Sequence, residues 1–245
     1  MGMIKIPSEA VDKFKNNFDQ ILETGNLAEG EWNKSLSKFI CEYTSSKFAT
    51  NFCSNGAGLL AILFLLKEYR GYKNIFIQSN TMYGVKAISI SSGLNYLGAI
   101  DCNLKTLMPN KKEVEKFIKN IIDPEKSVFL LSHIGGIVNP DIKEIADLCK
   151  TFKIALVEDC AHSLGATLQG RHSGLFGDAG VYSLYATKAI TAGEGGVAIT
   201  NDEDLAEKLR RFVIYDRFDQ QQPIAVNFRI SEMQALFSLC VCEQI

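Results

Sequence analysis

Short runs that are apolar on both faces alternate with segments of helical periodicity, and this alternation constrains the fold more than any other feature of the chain. The runs at 74–79, 127–131, 154–157, 180–184 and 197–200 have the pattern of strands covered on both sides. Before, between and after them, 57–69, 83–91, 111–120, 141–152 and 202–212 read as helices; in the fourth, Ile142, Ile145, Leu148, Cys149 and Phe152 recur at helical spacing. Strand and helix in alternation build βαβ units, so the expectation is an α/β fold: a mostly parallel sheet with helices on both faces. Residues 1–46 read as a mainly helical segment that wraps the domain or reaches a partner subunit, and 47–245 as one domain.

Composition narrows the functions open to such a fold. With 245 residues, 47% hydrophobic and 22% charged, the chain is long enough to bury a large core. A formal net charge of −2, with both signs scattered along the chain, provides no field for nucleic acid. The longest apolar run, 57–66, is too short to span a bilayer and contains Gly58, and "MGMIKIPSEAVDKF" lacks a secretory leader's apolar stretch. The expected location is the cytoplasm, with no membrane partner. Seven cysteines, an odd number without a C-x-x-C pair, suit buried reduced thiols.

Open α/β sheets bind ligands beyond the carboxyl ends of their strands. Three stretches place polar residues there. In "CSNGAGLL" (53–60) a turn leads into an apolar helix and aims the N–H groups of Gly56 and Ala57 at an anion such as phosphate; an ordinary cap by Ser54 or Asn55 explains the same residues equally well. In "IALVEDCAHSLGA" (154–166) a buried strand delivers Glu158 and Asp159, with His162 one turn on. The carboxylate can hold a cationic ring nitrogen and the imidazole can bond a phenolic oxygen; a capping Asp and a structural His are the alternative. His133 and His172 lack zinc-like spacing to "DCAH", so no metal is expected.

The third stretch, "VYSLYATKAITAGEGG" (181–196), carries a single lysine, Lys188, among small, aromatic and hydroxyl residues. A partly desolvated lysine loses pKa and becomes a nucleophile able to form a Schiff base with an aldehyde. Phosphate, ring-nitrogen partner and imine are together what pyridoxal phosphate requires.

These residues carry a resemblance. "EDCAHSLGATLQGRHSGLFGDAGVYSLYATKAITAGEGGVAIT" is similar to the central signature of the DegT/StrS family of nucleotide-sugar aminotransferases, which have the aspartate-aminotransferase fold (fold type I). The similarity extends through "TGNLAEG", "CSNGAGLL", "SNT" and "HIGG" upstream and "VNFRISEMQAL" downstream. It implies that 47–245 is a large domain binding pyridoxal phosphate, with Lys188 as the covalent tether and proton carrier and Asp159 as partner of the ring nitrogen. His162 would stand by the phenolic oxygen, and Gly56, Ala57 and Ser183 at the phosphate. Asn227 would reach the phosphate in the neighbouring subunit, which implies a homodimer with shared sites. The implied reaction passes an amino group, commonly from glutamate, to a keto sugar linked to a nucleotide.

The chain departs from the family in three places. Met82 stands where an aromatic stacks on the cofactor ring, and can cover it through a polarisable sulfur with less rigidity. Ala57 stands in place of a hydroxyl residue. The chain stops at "EMQALFSLCVCEQI", inside an amphipathic helix, where family members continue into a C-terminal small domain; Leu236, Phe237, Leu239 and Val241 are expected to be partly exposed unless a dimer covers them. Two other readings stay open. A dehydratase of the same fold replaces the lysine by histidine, which Lys188 argues against; a non-catalytic member would bind pyridoxal phosphate or a nucleotide sugar.

Overall fold

The computed structural model describes residues 4–214 and 224–245. Two helices come first, α1 (Ser8–Thr24) and α2 (Glu31–Thr44), followed by β1 (Phe48–Phe52) and α3 (Asn55–Arg70). β2 (Asn74–Gln78), α4 (Tyr83–Ser91), β3 (Asn95–Ile100), α5 (Lys111–Ile118), β4 (Ser127–Ser132), α6 (Ile142–Thr151) and β5 (Ala155–Cys160) then alternate. A small hairpin, β6 (Thr167–Leu168) and β7 (Arg171–His172), precedes β8 (Ala179–Ser183), β9 (Gly196–Thr200), α7 (Glu203–Ile214) and α8 (Glu232–Cys242).

Local chemistry sets the helix boundaries. Ser54 caps α3 by accepting the Ala57 N–H, and Gly71, at φ 67°, ends it by returning its own N–H to Leu66 and Lys67. Asn110 with Glu113 on α5, and Ser231 with Gln234 on α8, form reciprocal capping boxes.

The main sheet has the order β1-β9-β8-β5-β4-β2-β3, and β9 alone runs against its neighbours. The five strands expected from sequence are present, and β5 continues three residues further than expected, carrying both carboxylates inside the strand. β1 and β3 were not expected. They are the two edge strands, and their burial is incomplete, so neither shows the continuous apolar run of a covered strand.

Side-chain alternation sorts each strand between two layers. In β4, Val128 and Leu130 join the cluster around α3, whereas Phe129 and Leu131 join the one around α5 and α6. In β5, Ala155 and Val157 face the α3 layer and Leu156 the other, so Glu158 and Asp159 leave the strand on opposite faces.

The last helix corrects one expectation. Leu236, Leu239 and Val241 are buried within the chain, because α1 and α2 pack over α8, and Phe237 meets Phe14 edge-on with ring centroids 5.3 Å apart. The N-terminal helices thus cover the apolar side chains that sequence left in need of a partner. Among the described residues no helix is long and apolar enough to cross a membrane.

Candidate active site

Glu158 and Asp159 have different tasks because the pleat points them apart. Glu158 is completely buried and accepts four hydrogen bonds: from His133 Nε2 (2.8 Å) and from the N–H groups of Gly174 (2.8 Å), Phe176 (2.7 Å) and Gly177 (2.6 Å). It ties down the loop that leads into β8. His133 Nδ1 accepts the Asn139 N–H at 3.1 Å, so the ring proton sits on Nε2 and is given to Glu158. The ligand atoms of His133, Glu158 and Cys160 lie within 4.8 Å of one another, but the lone pairs of His133 and Glu158 are engaged in the network that fixes the loop, and burial keeps the Cys160 thiol protonated.

Asp159 is oriented just as firmly, toward the α3 layer. Its Oδ1 accepts from Asn55 Nδ2 (3.2 Å) and from the Ala161 N–H (3.1 Å), and its Oδ2 accepts from Ser132 Oγ (3.1 Å). Thr81 Oγ1 lies 2.8 Å from Ser132 Oγ. Ser132 ends β4 directly opposite Asp159 in the register.

Lys188 follows β8 in a turn whose backbone bond runs from its N–H to Tyr185 O at 2.8 Å. Partial burial lowers its ammonium pKa, with the Asp159 charge opposing the shift. His162 is lowered first by burial, then by the Lys188 charge, again opposed by Asp159. Lys188, Asp159 and His162 thus feel one another's charge, and each lies at or just after the carboxyl end of a strand: Asp159 near the end of β5, His162 after it and Lys188 after β8.

The start of α3 adjoins this cluster. Ser183 ends β8 and pairs with Gly196 of β9. A β-carbon at Gly196 would lie 2.5 Å from Asn55 N, so only glycine allows the strand this close to the helix. Ser183, Gly56 and the helix start therefore share one corner of the site. Ala57 gives its N–H to Ser54 Oγ at 3.1 Å, so capping accounts for that donor; the N–H groups of Asn55 and Gly56, in the first turn, have no helical carbonyl to bond.

Met82 immediately precedes α4 and is 64% exposed, with Tyr83 at 82%. The Thr81 contact brings this turn to the Asp159 network. Asn227 is exposed, and the next residue ties its segment to the helix start through Cys53 N–H to Phe228 O at 2.7 Å. Sequence reasoning gave no role to Ser132 or Thr81; the signal was a hydroxyl at the carboxyl end of a fully buried strand in "FLLSH". A cavity of about 1350 Å³ between α2, β1 and α7 has no lining residue in common with this site.

A mostly parallel sheet covered on both faces, with lysine, aspartate and histidine gathered beyond its carboxyl ends, has the architecture of the fold type I aminotransferases that use pyridoxal phosphate. The sequence model of the DegT/DnrJ/EryC1/StrS aminotransferase family matches residues 9–244, and the chain belongs to that family. Among similar solved structures is Helicobacter pylori PseC, an aminotransferase involved in the biosynthesis of pseudoaminic acid, at 24% identity and TM-score 0.86; the match covers 99% of this chain and 64% of that one. DesI, solved in the presence of its TDP-sugar product, is 23% identical with TM-score 0.85, covering 99% and 59%. A mutant of GDP-4-keto-6-deoxymannose-3-dehydratase (ColD) with bound GDP-perosamine is 20% identical with TM-score 0.84, covering 99% and 67%. The chain thus spans 64% and 59% of the lengths of PseC and DesI.

Proposed function

We propose that this chain binds pyridoxal phosphate and serves as a sugar aminotransferase, passing an amino group from glutamate to a keto sugar linked to a nucleotide, for amino-sugar or cell-surface polysaccharide synthesis. The observation that carries the reading is the Asp159 carboxylate, held by three donors near the carboxyl end of β5, with Lys188 in the turn that follows the neighbouring strand β8. The donor set fits the cofactor at each of its polar ends. Asp159 would offer a carboxylate to the ring nitrogen, His162 an imidazole to the phenolic oxygen, and Lys188 an amine to the aldehyde. Asn55 and Gly56 N–H groups with Ser183 Oγ supply anion donors at a corner that Gly196 keeps clear.

When bound, pyridoxal phosphate supplies an electron sink for the carbon that bears the migrating amine. The chain's residues do the rest. Asp159 would pair with the ring nitrogen, and the Lys188 amine would serve as the base that takes the proton from the donor's α-carbon. Met82 covers one ring face. His162, with its pKa lowered, remains a neutral hydrogen-bonding partner near neutral pH.

A homodimer with shared sites belongs to the same proposal. Asn227 is exposed, as a residue that completes a partner's site must be before pairing. Met82, Tyr83, Tyr185 and Val226, each within a few residues of a site residue, present large apolar side chains to solvent. The test is a panel of keto-sugar nucleotides incubated with the chain, pyridoxal phosphate and glutamate, read as aminated product and 2-oxoglutarate. Product from at least one sugar is the expected outcome; binding of cofactor and sugar without turnover would instead favour the non-catalytic reading. Lys188 favours transfer over the dehydration named for ColD.

A further inference from the structure

We propose that Thr81 and Ser132 form a two-hydroxyl positioning chain which, together with Asn55, turns the Asp159 carboxylate so that Oδ2 is the oxygen offered to the cofactor's ring nitrogen; the inference rests on the pyridoxal phosphate reading above. Each carboxylate oxygen has two lone pairs. Oδ1 accepts from Asn55 Nδ2 at 3.2 Å and from the Ala161 N–H at 3.1 Å, which fills it. Oδ2 accepts from Ser132 Oγ at 3.1 Å and keeps one lone pair.

The direction of the chain follows from counting protons. Ser132 has one hydroxyl proton and gives it to Asp159, so in its 2.8 Å contact with Thr81 it is the acceptor and Thr81 the donor. The three side-chain donors come from three elements: Asn55 opens α3, Ser132 closes β4, and Thr81 precedes α4. Asn55 is itself fixed by a second bond, to Val181 O at 2.8 Å. Thr81 adjoins Met82, so the chain also links the proposed cover of the ring face to the partner of the ring nitrogen. Among the described residues, the titratable groups that feel the carboxylate's charge are His162, Lys188 and the buried thiol of Cys160, which stays protonated. None takes part in these bonds.

The test uses the full chain loaded with pyridoxal phosphate and checked by borohydride labelling of Lys188. The pH midpoint of the bound cofactor's visible band is then measured in the wild type and in Asp159→Asn, Ser132→Ala, Thr81→Val and Asn55→Ala. A proton on the ring nitrogen repels one on the imine nitrogen, so a poorly placed Asp159 raises the midpoint. Asp159→Asn should move it furthest, Ser132→Ala by about 0.5–1 unit, and Thr81→Val by less, in keeping with the weight of hydrogen bonds to a charged group. Ser132→Cys, which keeps a weaker donor and similar volume, should fall between wild type and Ser132→Ala. Thr81→Val should add nothing in a Ser132→Ala background, because its effect passes through Ser132. If Asp159→Asn moves the midpoint but Ser132→Ala and Thr81→Val do not, the positioning chain is overturned and the cofactor reading survives. Additive shifts from the two hydroxyl variants overturn the serial order. A wild-type chain with no label at Lys188 overturns the reading underneath, and the inference with it.

Discussion

Replacing Glu158 by glutamine separates by experiment the two carboxylates that β5 carries side by side. Glu158 is fully buried, and its oxygens accept from His133 Nε2 and from the N–H groups of Gly174, Phe176 and Gly177. Glutamine keeps one acceptor oxygen and turns the other into a donor. Two of the four bonds are lost, and two buried donors then face an NH₂ group. Hydrogen bonds to a charged acceptor contribute ~1.5–3 kcal/mol each and an orphaned buried donor costs ~1–3 kcal/mol. Allowing for relaxation and non-additivity, the expected destabilisation is about 3–5 kcal/mol. At ~2–4 °C per kcal/mol for a chain of this length, the melting temperature should fall by about 6–20 °C. Circular dichroism melts measure this, with borohydride labelling of Lys188 at low temperature as the functional control. The label should persist, because Glu158 faces the other layer. A fall under about 2 °C would refute the structural role derived from those four bonds, and loss of the label in a folded variant would refute the division of labour between the two carboxylates.

Four other outcomes follow from the same geometry. Asp159→Asn should retain part of the cofactor binding while the half-reaction with glutamate slows on the order of a hundred- to a thousandfold, as for loss of a preorganised electrostatic partner; unchanged half-reaction rates would rule out its pairing with the ring nitrogen. The rate of pyridoxal phosphate capture should rise with pH and level off at a midpoint below the ordinary lysine value of 10.5, because only the free amine attacks and burial lowers the Lys188 pKa; a midpoint at or above that value would contradict the desolvated setting. Burial pushes the Cys149 and Cys242 thiols up to about 12 and Cys160 well above its usual range, so a thiol reagent at mild pH should reach no more than the three half-buried cysteines, Cys41, Cys53 and Cys102, before unfolding. Sedimentation should show a homodimer, with Asn227→Ala weakening cofactor binding but not assembly; a monomer that binds tightly and transaminates would exclude the shared site.

What could be read from sequence was what repeats or what cannot be satisfied locally. The covered strands announced themselves as apolar runs, and Lys188 as the single lysine between β8 and β9, although the structure buries it only in part. Edge strands β1 and β3 escaped because incomplete burial removes the two-sided apolar pattern. The cover of α8 escaped for a different reason: α1 and α8 are more than 200 residues apart, and no local pattern in either says they meet. Glu158 and Asp159 stood together in "VED", and only the pleat, once β5 is placed between β4 and β8, assigns one to a loop anchor and the other to the site. Ser132 and Thr81 became meaningful in the same way, through a register that sets Ser132 opposite Asp159.

The proposed function depends most on the capture of pyridoxal phosphate by Lys188. Borohydride reduction of the loaded chain, followed by peptide mapping, tests it directly. A pyridoxyl group on Lys188 is expected, at about one per chain at saturating cofactor, and its loss in Lys188→Ala with the fold retained. A label on another lysine, or none at saturation, would contradict it.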